Sequence, residues 1–283
     1  MSEFPQFIDM KIGDVVEDFV KWLTVNYSEA FQSIKIGILS VLLKMQAFLE
    51  WIPWFVVILI IFFVGWKVKN LKSGLVFAVM LVMIGMMGYW DETILTISVV
   101  ITAVIISLLI GIPLGILSAY KKRVDSIVRP ILDAMQTMPS FVYLIPAIML
   151  FGLGTVPAVF ATTIYSLPPV IRLTSLAIKS VSSEIKEAAY SFGPTTWQTL
   201  IKVEIPQAMP TIMAGVNQTT MMAMAMVVVS SMIGAKGLGY SVLIAINRAD
   251  IAMGFESGIS IVFLAIIIDR LTQSIGDKFK YDE

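Results

Sequence analysis

The run ILTISVVITAVIISLLIGIPLGILSAY, Ile94 to Tyr120, contains no charged side chain. A helix needs about 20 apolar residues to cross the hydrocarbon core of a bilayer, so this stretch reads as a membrane span. Its surroundings repeat the signal. Trp51 to Trp66, Ser73 to Trp90, Met209 to Ile233 and Phe255 to Leu271 are further apolar runs. Ser140 to Val170 is long enough for two short spans, or for one tilted or re-entrant element. The break there falls in FGLGTVP, Phe151 to Pro157, because Gly and Pro interrupt helices. The expected fold is an all-α membrane protein, a polytopic bundle of about seven transmembrane helices.

Composition agrees. The chain is 58% hydrophobic and 14% charged, against about 25% charged in soluble domains. It has no Cys, which excludes disulfides and thiolate chemistry. It has no His, which removes the usual general base, proton relay and metal ligand. Net charge is zero and no basic patch stands out, so no nucleic-acid partner is expected. The opening MSEFPQFIDMKIGD lacks the basic-then-apolar layout of a cleaved signal peptide, so insertion is expected through internal spans.

Cations bias towards the cytoplasmic side of a membrane protein. With the N-terminus outside and the C-terminus cytoplasmic, the inner regions are 67–72, 121–138, 171–208 and 270–283. They hold 14 of the 20 Lys and Arg residues, leaving 6 outside. The first outer hairpin carries only Asp91 and Glu92.

Residues 1–50 form a separate unit. Val16, Phe19, Val20 and Leu23 recur at helical spacing, and Tyr27, Phe31, Ile34, Ile38, Val41, Met45 and Phe48 continue the stripe. Lys35 and Lys44 interrupt it too often for a span. An amphipathic helix at the outer interface is one reading, and a helix packed on the side of the bundle is the other. The organisation expected is 1–50 as an extracytoplasmic tail, 51–90 as an additional hairpin, 91–275 as a core holding the loop 171–208, and 276–283 as a cytoplasmic tail.

That loop contains SSEIKEAAYSFGPTTWQTLIKVEIP, residues 182–206, polar and helix-patterned inside a greasy chain. Ser183 can cap a helix whose first turn carries Glu184. Ile185, Ala188, Ala189 and Phe192 make one apolar stripe, and Gly193-Pro194 stops the helix. Thr195 or Thr196 can cap a second helix bearing Trp197, Leu200 and Ile201, which Pro206 ends. Ala188-Ala189 lets another surface approach closely, with Lys186 and Glu187 at its rim. A helix this short is marginal alone, so the alternatives are docking and a solvated loop.

Polar groups at membrane depth are the candidates for a translocation path: Thr162, Thr163 and Ser166, and Asn217, Gln218, Thr219 and Thr220. All are uncharged, which suits a zwitterion. The competing reading is hydrogen bonding between helices. Met221, Met222, Met224 and Met226 offer either an adaptable lining or ordinary packing. Trp51, Trp54, Trp66 and Trp90 sit where aromatic belts place them. An ion channel would need charged or carbonyl rings about an axis, and no acid sits mid-span. An intramembrane aspartyl enzyme lacks its two mid-span Asp residues.

Here a resemblance enters. Glu187-Ala188-Ala189, three residues, Gly193, nine residues, and Val203-Glu204-Ile205-Pro206 resemble the cytoplasmic signature of permeases in binding-protein-dependent ABC importers, with Val203 and Ile205 as conservative departures. That resemblance implies ATPase coupling through Glu187, Ala188, Ala189, Gly193 and Pro206. GIPLGILSAY (111–120), ILDAMQTMPSFVYLIP (131–146), FGLGTVPAVFATTIYSLPPVIRLT (151–174) and IGAKGLG (233–239) are similar to the glycine betaine/proline permease type. The implied cargo is glycine betaine or a related compatible solute, with choline, carnitine or proline as alternatives and an osmotically gated channel as the rival. The implied partners are two ABC ATPase subunits, a second permease copy forming a homodimer, an extracellular substrate-binding protein and the lipid bilayer of the cell membrane. No phosphate loop GxxxxGK[ST] occurs in the sequence, so the chain is expected to be a transport subunit and not an enzyme, with ATP and Mg on the partner ATPase. GAKGLG (234–239) has the wrong spacing and reads as an outer turn.

Overall fold

The computed structural model describes residues 12–279, all helices and turns, with no strand among the described residues. In chain order the helices are α1 (Ile12–Asn26), α2 (Ser28–Trp51), α3 (Trp54–Val68), α4 (Leu71–Met86), α5 (Trp90–Tyr120), α6 (Lys122–Thr137) and α7 (Leu144–Phe151). They continue as α8 (Thr155–Ser180), α9 (Ser183–Tyr190), α10 (Thr196–Thr199), α11 (Ile205–Ser231), α12 (Leu238–Arg248) and α13 (Ile251–Asp277). Residues 1–11 and 280–283, at the ends of the expected tails, lie outside the described residues.

At the centre α8 packs between α5 and α11. Gly111 and Gly115 of α5, spaced i and i+4, give α8 its close approach. A Cβ at Gly115 would lie 2.7 Å from Thr174 Cβ and 2.8 Å from the Ile171 carbonyl, and one at Gly111 would collide with Val170. Small residues at this spacing let helices associate where lipid supplies no hydrophobic drive.

Ser140 to Val170 does not fold as two spans. A 3₁₀ turn (Ser140–Tyr143) and α7 form a short arm, bent by 114° against amphipathic α6. The chain breaks at Gly152 and Gly154, as FGLGTVP foretells, and both take φ values only glycine adopts freely (81° and 129°). From Thr155 a single helix then runs 26 residues through Pro168-Pro169, so the polar loop begins near Val181 and not at 171. The prolines remove two backbone donors, but both are buried between α5 and α11, and that packing holds the helix through them.

Among the described residues five helices have the length and apolarity of spans, α2, α5, α8, the continuous 196–231 stretch and α13, and the bent pair of α6 with the 140–151 arm would make a sixth if it counted as one. The α3–α4 hairpin is shorter, at 15 and 16 residues, and turns Leu59, Phe63, Leu75 and Val79 outward. So α2, which carries Lys35 and Lys44, is long and apolar enough to cross. It docks laterally on the bundle through Ile38 and Leu42, which cluster with Val99, Ala103, Val156 and Val159. Lys35 Nζ donates to the Phe151 carbonyl at 3.2 Å.

Candidate functional site

The polar loop is rooted in the core and bare at its tip. Its root is a buried cluster of Ala177, Ile178, Leu200, Ala208 and Ile212. Beyond it, α9 has no buried residue. Its cap is Ser182, one residue before the expected Ser183: the Ile185 amide donates to Ser182 Oγ at 3.3 Å. The helix ends at Tyr190 and the chain turns away at Gly193, where φ is +72° and the amide donates to the Tyr190 carbonyl at 2.9 Å. Thr195 caps α10 in a reciprocal box with Gln198.

Pro206 does not end the second helix. Leu200–Glu204 forms a π turn, with the Ile205 amide donating to the Leu200 carbonyl, and the chain runs on into α11. Proline cannot donate to the carbonyl four residues back; the widened turn absorbs that loss without a break.

The stripe expected from the sequence therefore exists and is left largely open, although Leu200 turns into the root and Ala189 is half-buried. Phe192 is 91% exposed and Trp197 is 67% exposed, with Ile185, Tyr190 and Ile201 exposed beside them. Glu187 and Ala188 are exposed and Ala189 is half-buried. A shallow cleft runs along the face, lined by Ala189, Phe192, Gly193, Pro194, Gln198, Thr199, Lys202 and Val203. Clustered exposed aromatic and aliphatic side chains with a polar rim mark an interaction surface.

Ion pairs tie α6 to the C-terminal half of α8. Asp125 pairs with Lys179 and with Arg129, each at 2.9 Å, and Asp133 pairs with Arg172. The Lys179 ammonium, hydrogen-bonded to Asp125, holds that carboxyl below the usual carboxylate range against the opposing effect of burial.

The seven polar residues of the spans do not form one cluster. Thr163 and Ser166 face α5, where Ser107 Oγ lies 3.0 Å from Ser166 Oγ and donates to the Thr163 carbonyl at 3.1 Å. Thr163 Oγ1 donates back to the Val159 carbonyl at 2.8 Å. Asn217 turns to α13, its Nδ2 donating to Asp269 Oδ1 at 3.0 Å. Thr220 bonds the Val216 carbonyl. Thr162 and Thr219 are buried with hydroxyls that find no partner. Gln218 alone of the seven is exposed. Ser107 and Asp269 are the partners sequence reasoning missed. Asp269 had a signal, a carboxylate near the end of an apolar run; Ser107 had none.

Comparison with known proteins adds a further layer. Residues 111–280 match the family described as binding-protein-dependent transport system inner membrane component. The glycine betaine/proline betaine transport system permease protein ProW of Escherichia coli is 44% identical over 261 residues, 92% of this chain and 74% of that protein. The glycine betaine transport system permease protein OpuAB of Bacillus subtilis is 42% identical, covering 95% of each. The glycine betaine/carnitine transport permease protein GbuB of Listeria monocytogenes is 49% identical over 81% of this chain and 82% of its own. Among solved structures, the inward-facing MetNI methionine ABC transporter superposes with a TM-score of 0.60 at 19% identity, over 66% of this chain and 94% of that one. That last likeness speaks for the fold alone.

Proposed function

The chain belongs to the binding-protein-dependent transport system inner membrane components, and from that premise we propose that it is the permease subunit of an ATP-driven importer of glycine betaine or a close compatible solute. The carrying observation is the uncovered face of α9 and α10, a rooted helix pair whose aromatic and aliphatic side chains have no partner in their own chain. A separate ATPase subunit seats there, against Glu187, Ala188 and Ala189, with Gly193 setting the angle between the helices. Pro206 acts through the π turn that joins this handle to α11.

In this reading two permease copies form the pore, two ATPases with their ATP and Mg dock beneath, and an extracellular binding protein delivers solute. The N-terminus lies outside, with residues 1–50 as the extracytoplasmic tail; α2 has the length of a span, but in this reading it lies along the bundle at the outer face and does not cross. The 51–90 hairpin is an addition to the 91–275 core, and the C-terminus is cytoplasmic. Of the path candidates Gln218 faces outward on α11, where a second copy would meet it. Thr163 and Ser166 join α8 to α5, Asn217 joins α11 to α13, and Thr220 bonds within α11. Thr162 and Thr219 keep free hydroxyls for a path that opens as these helices part.

Uptake of radiolabelled glycine betaine into proteoliposomes holding the chain, its ATPase and its binding protein tests this. ATP-dependent uptake that Gly193→Asp abolishes supports cargo and coupling together. ATP turnover stimulated by carnitine, choline or proline instead would keep the importer and change the cargo. Flux without ATP would restore the channel.

A further inference from the structure

Glu204 is a carboxylate buried inside the root of the handle. Its side chain is 1% exposed, and Oε2 has no hydrogen-bond partner. It sits at the last position of the π turn, between α10 and α11. Two groups reach it from elsewhere in the fold. Lys186 of α9 places Nζ 3.5 Å from Oε2, while the same ammonium donates to the Ile178 carbonyl at 3.1 Å. The root also packs on Ile116 and Ala119 at the C-terminal end of α5, and the Tyr120 phenol of the same turn lies within electrostatic reach of the Glu204 side chain.

Burying a charge that is incompletely paired is costly, so such a group persists where the surrounding structure uses it. At 3.5 Å the Lys186–Glu204 contact is an ion pair without a hydrogen bond. A small displacement of α9 would close it or break it, and in a buried setting either change shifts the energy far more than it would in water. π turns recur where a helix must yield, and here the turn and the carboxylate coincide.

We propose that Glu204 is the positioning residue that passes movement of the α9 handle into α5 and α11, with Lys186 as its ion-pair partner and the end of α5 packed on the same root. The proposal rests on the importer reading above. It differs from docking: the residues that meet the ATPase are exposed, whereas Glu204 touches no outside surface.

The test uses the reconstituted complex and counts solute moved per ATP hydrolysed. Glu204→Gln keeps shape and removes the charge; it is expected to keep the ATPase in the complex and lower that ratio about tenfold. Lys186→Met in the same background should add little, because the two side chains act as one contact, and Lys186→Arg with Glu204 intact should keep most of the wild-type ratio. A second readout needs no cargo. The chain has no Cys, so spin labels at Leu117→Cys on α5 and Leu71→Cys on α4 are unique within it. Nucleotide should change their separation in the otherwise wild-type complex and leave it largely fixed with Glu204→Gln. If the wild type shifts on nucleotide but takes up no betaine, the cargo reading alone fails. An unchanged ratio with an unchanged shift would overturn the proposal. So would loss of the ATPase from the complex, because Glu204 would then only shape the docking face.

Discussion

Two helices separated by two residues, α8 and α9, stand at opposite extremes of this molecule. Sixteen of the 26 residues of α8 are buried, and none of the eight residues of α9 is. Both carry apolar stripes. The stripe of α8 is filled by α5 and α11 of the same chain, so it stabilises the fold. The stripe along the handle from α9 to the π turn, Ile185, Phe192, Trp197 and Ile201, is left open, so its hydrophobic energy is available to a partner. The same physical chemistry builds a core in one place and an interface a few residues later. What separates them is Ser182, which starts a new helix in a new direction.

The contrast can be broken first from the core side. Gly115→Val puts methyl groups where Thr174 and the Ile171 carbonyl already lie within 3 Å of a Cβ. Overpacking of this kind costs about 3 kcal/mol, so the purified chain should unfold at markedly lower temperature or fail to accumulate. Tested from the handle side, Phe192→Ser with Trp197→Ser should leave the melting temperature of the isolated chain almost unchanged. Affinity for the ATPase, read by titration in nanodiscs, should fall by about 2 kcal/mol or more, roughly thirtyfold. If the double variant instead unfolds the chain, the face is core and the comparison fails.

A sharper version targets α10 alone. Thr195→Ala removes one half of the capping box and should cost local helix stability of about 1 kcal/mol. Faster amide exchange confined to Thr196–Thr199 would show that the handle is a separately unfolding unit. The smallest effect concerns Asp125. Its carboxyl is depressed by Lys179, so the pairing stabilises the fold above the ordinary carboxylate value of about 3.9. That contribution is lost as pH falls through the lower folded value. Only once the pH lies below that lowered folded value should Asp125→Asn unfold at nearly the same temperature as the wild type, whereas at neutral pH it should unfold earlier.

The spans and the handle were readable because each follows from a short-range rule. Uncharged runs such as Ile94 to Tyr120 announce a membrane helix, and Gly193-Pro194 announces a helix end. The rule for proline misled at Pro206, and Pro168-Pro169 is a second place where it does not hold. Pro168-Pro169 sits within α8, and Pro206 lies just after a π turn, because packing on α5 and α11 in one case and a widened turn in the other meets the missing donors. Local sequence has no access to either compensation. The path candidates scattered for a similar reason. Asn217 and Gln218 are neighbours in sequence but point some 100° apart on a helix, one to Asp269 and the other outward. The lone charge Glu204 looked like part of a signature, and only its burial beneath Lys186 distinguishes it.

Hydrogen exchange across the chain in nanodiscs, with and without its ATPase subunit, tests the central claim most directly. Protection should rise about tenfold or more over residues 183–199 when the ATPase binds, while α5 and α8 exchange as before. Protection that rises elsewhere and leaves α9 and α10 unchanged would contradict the account, because the exposed face would then not be where the ATPase docks.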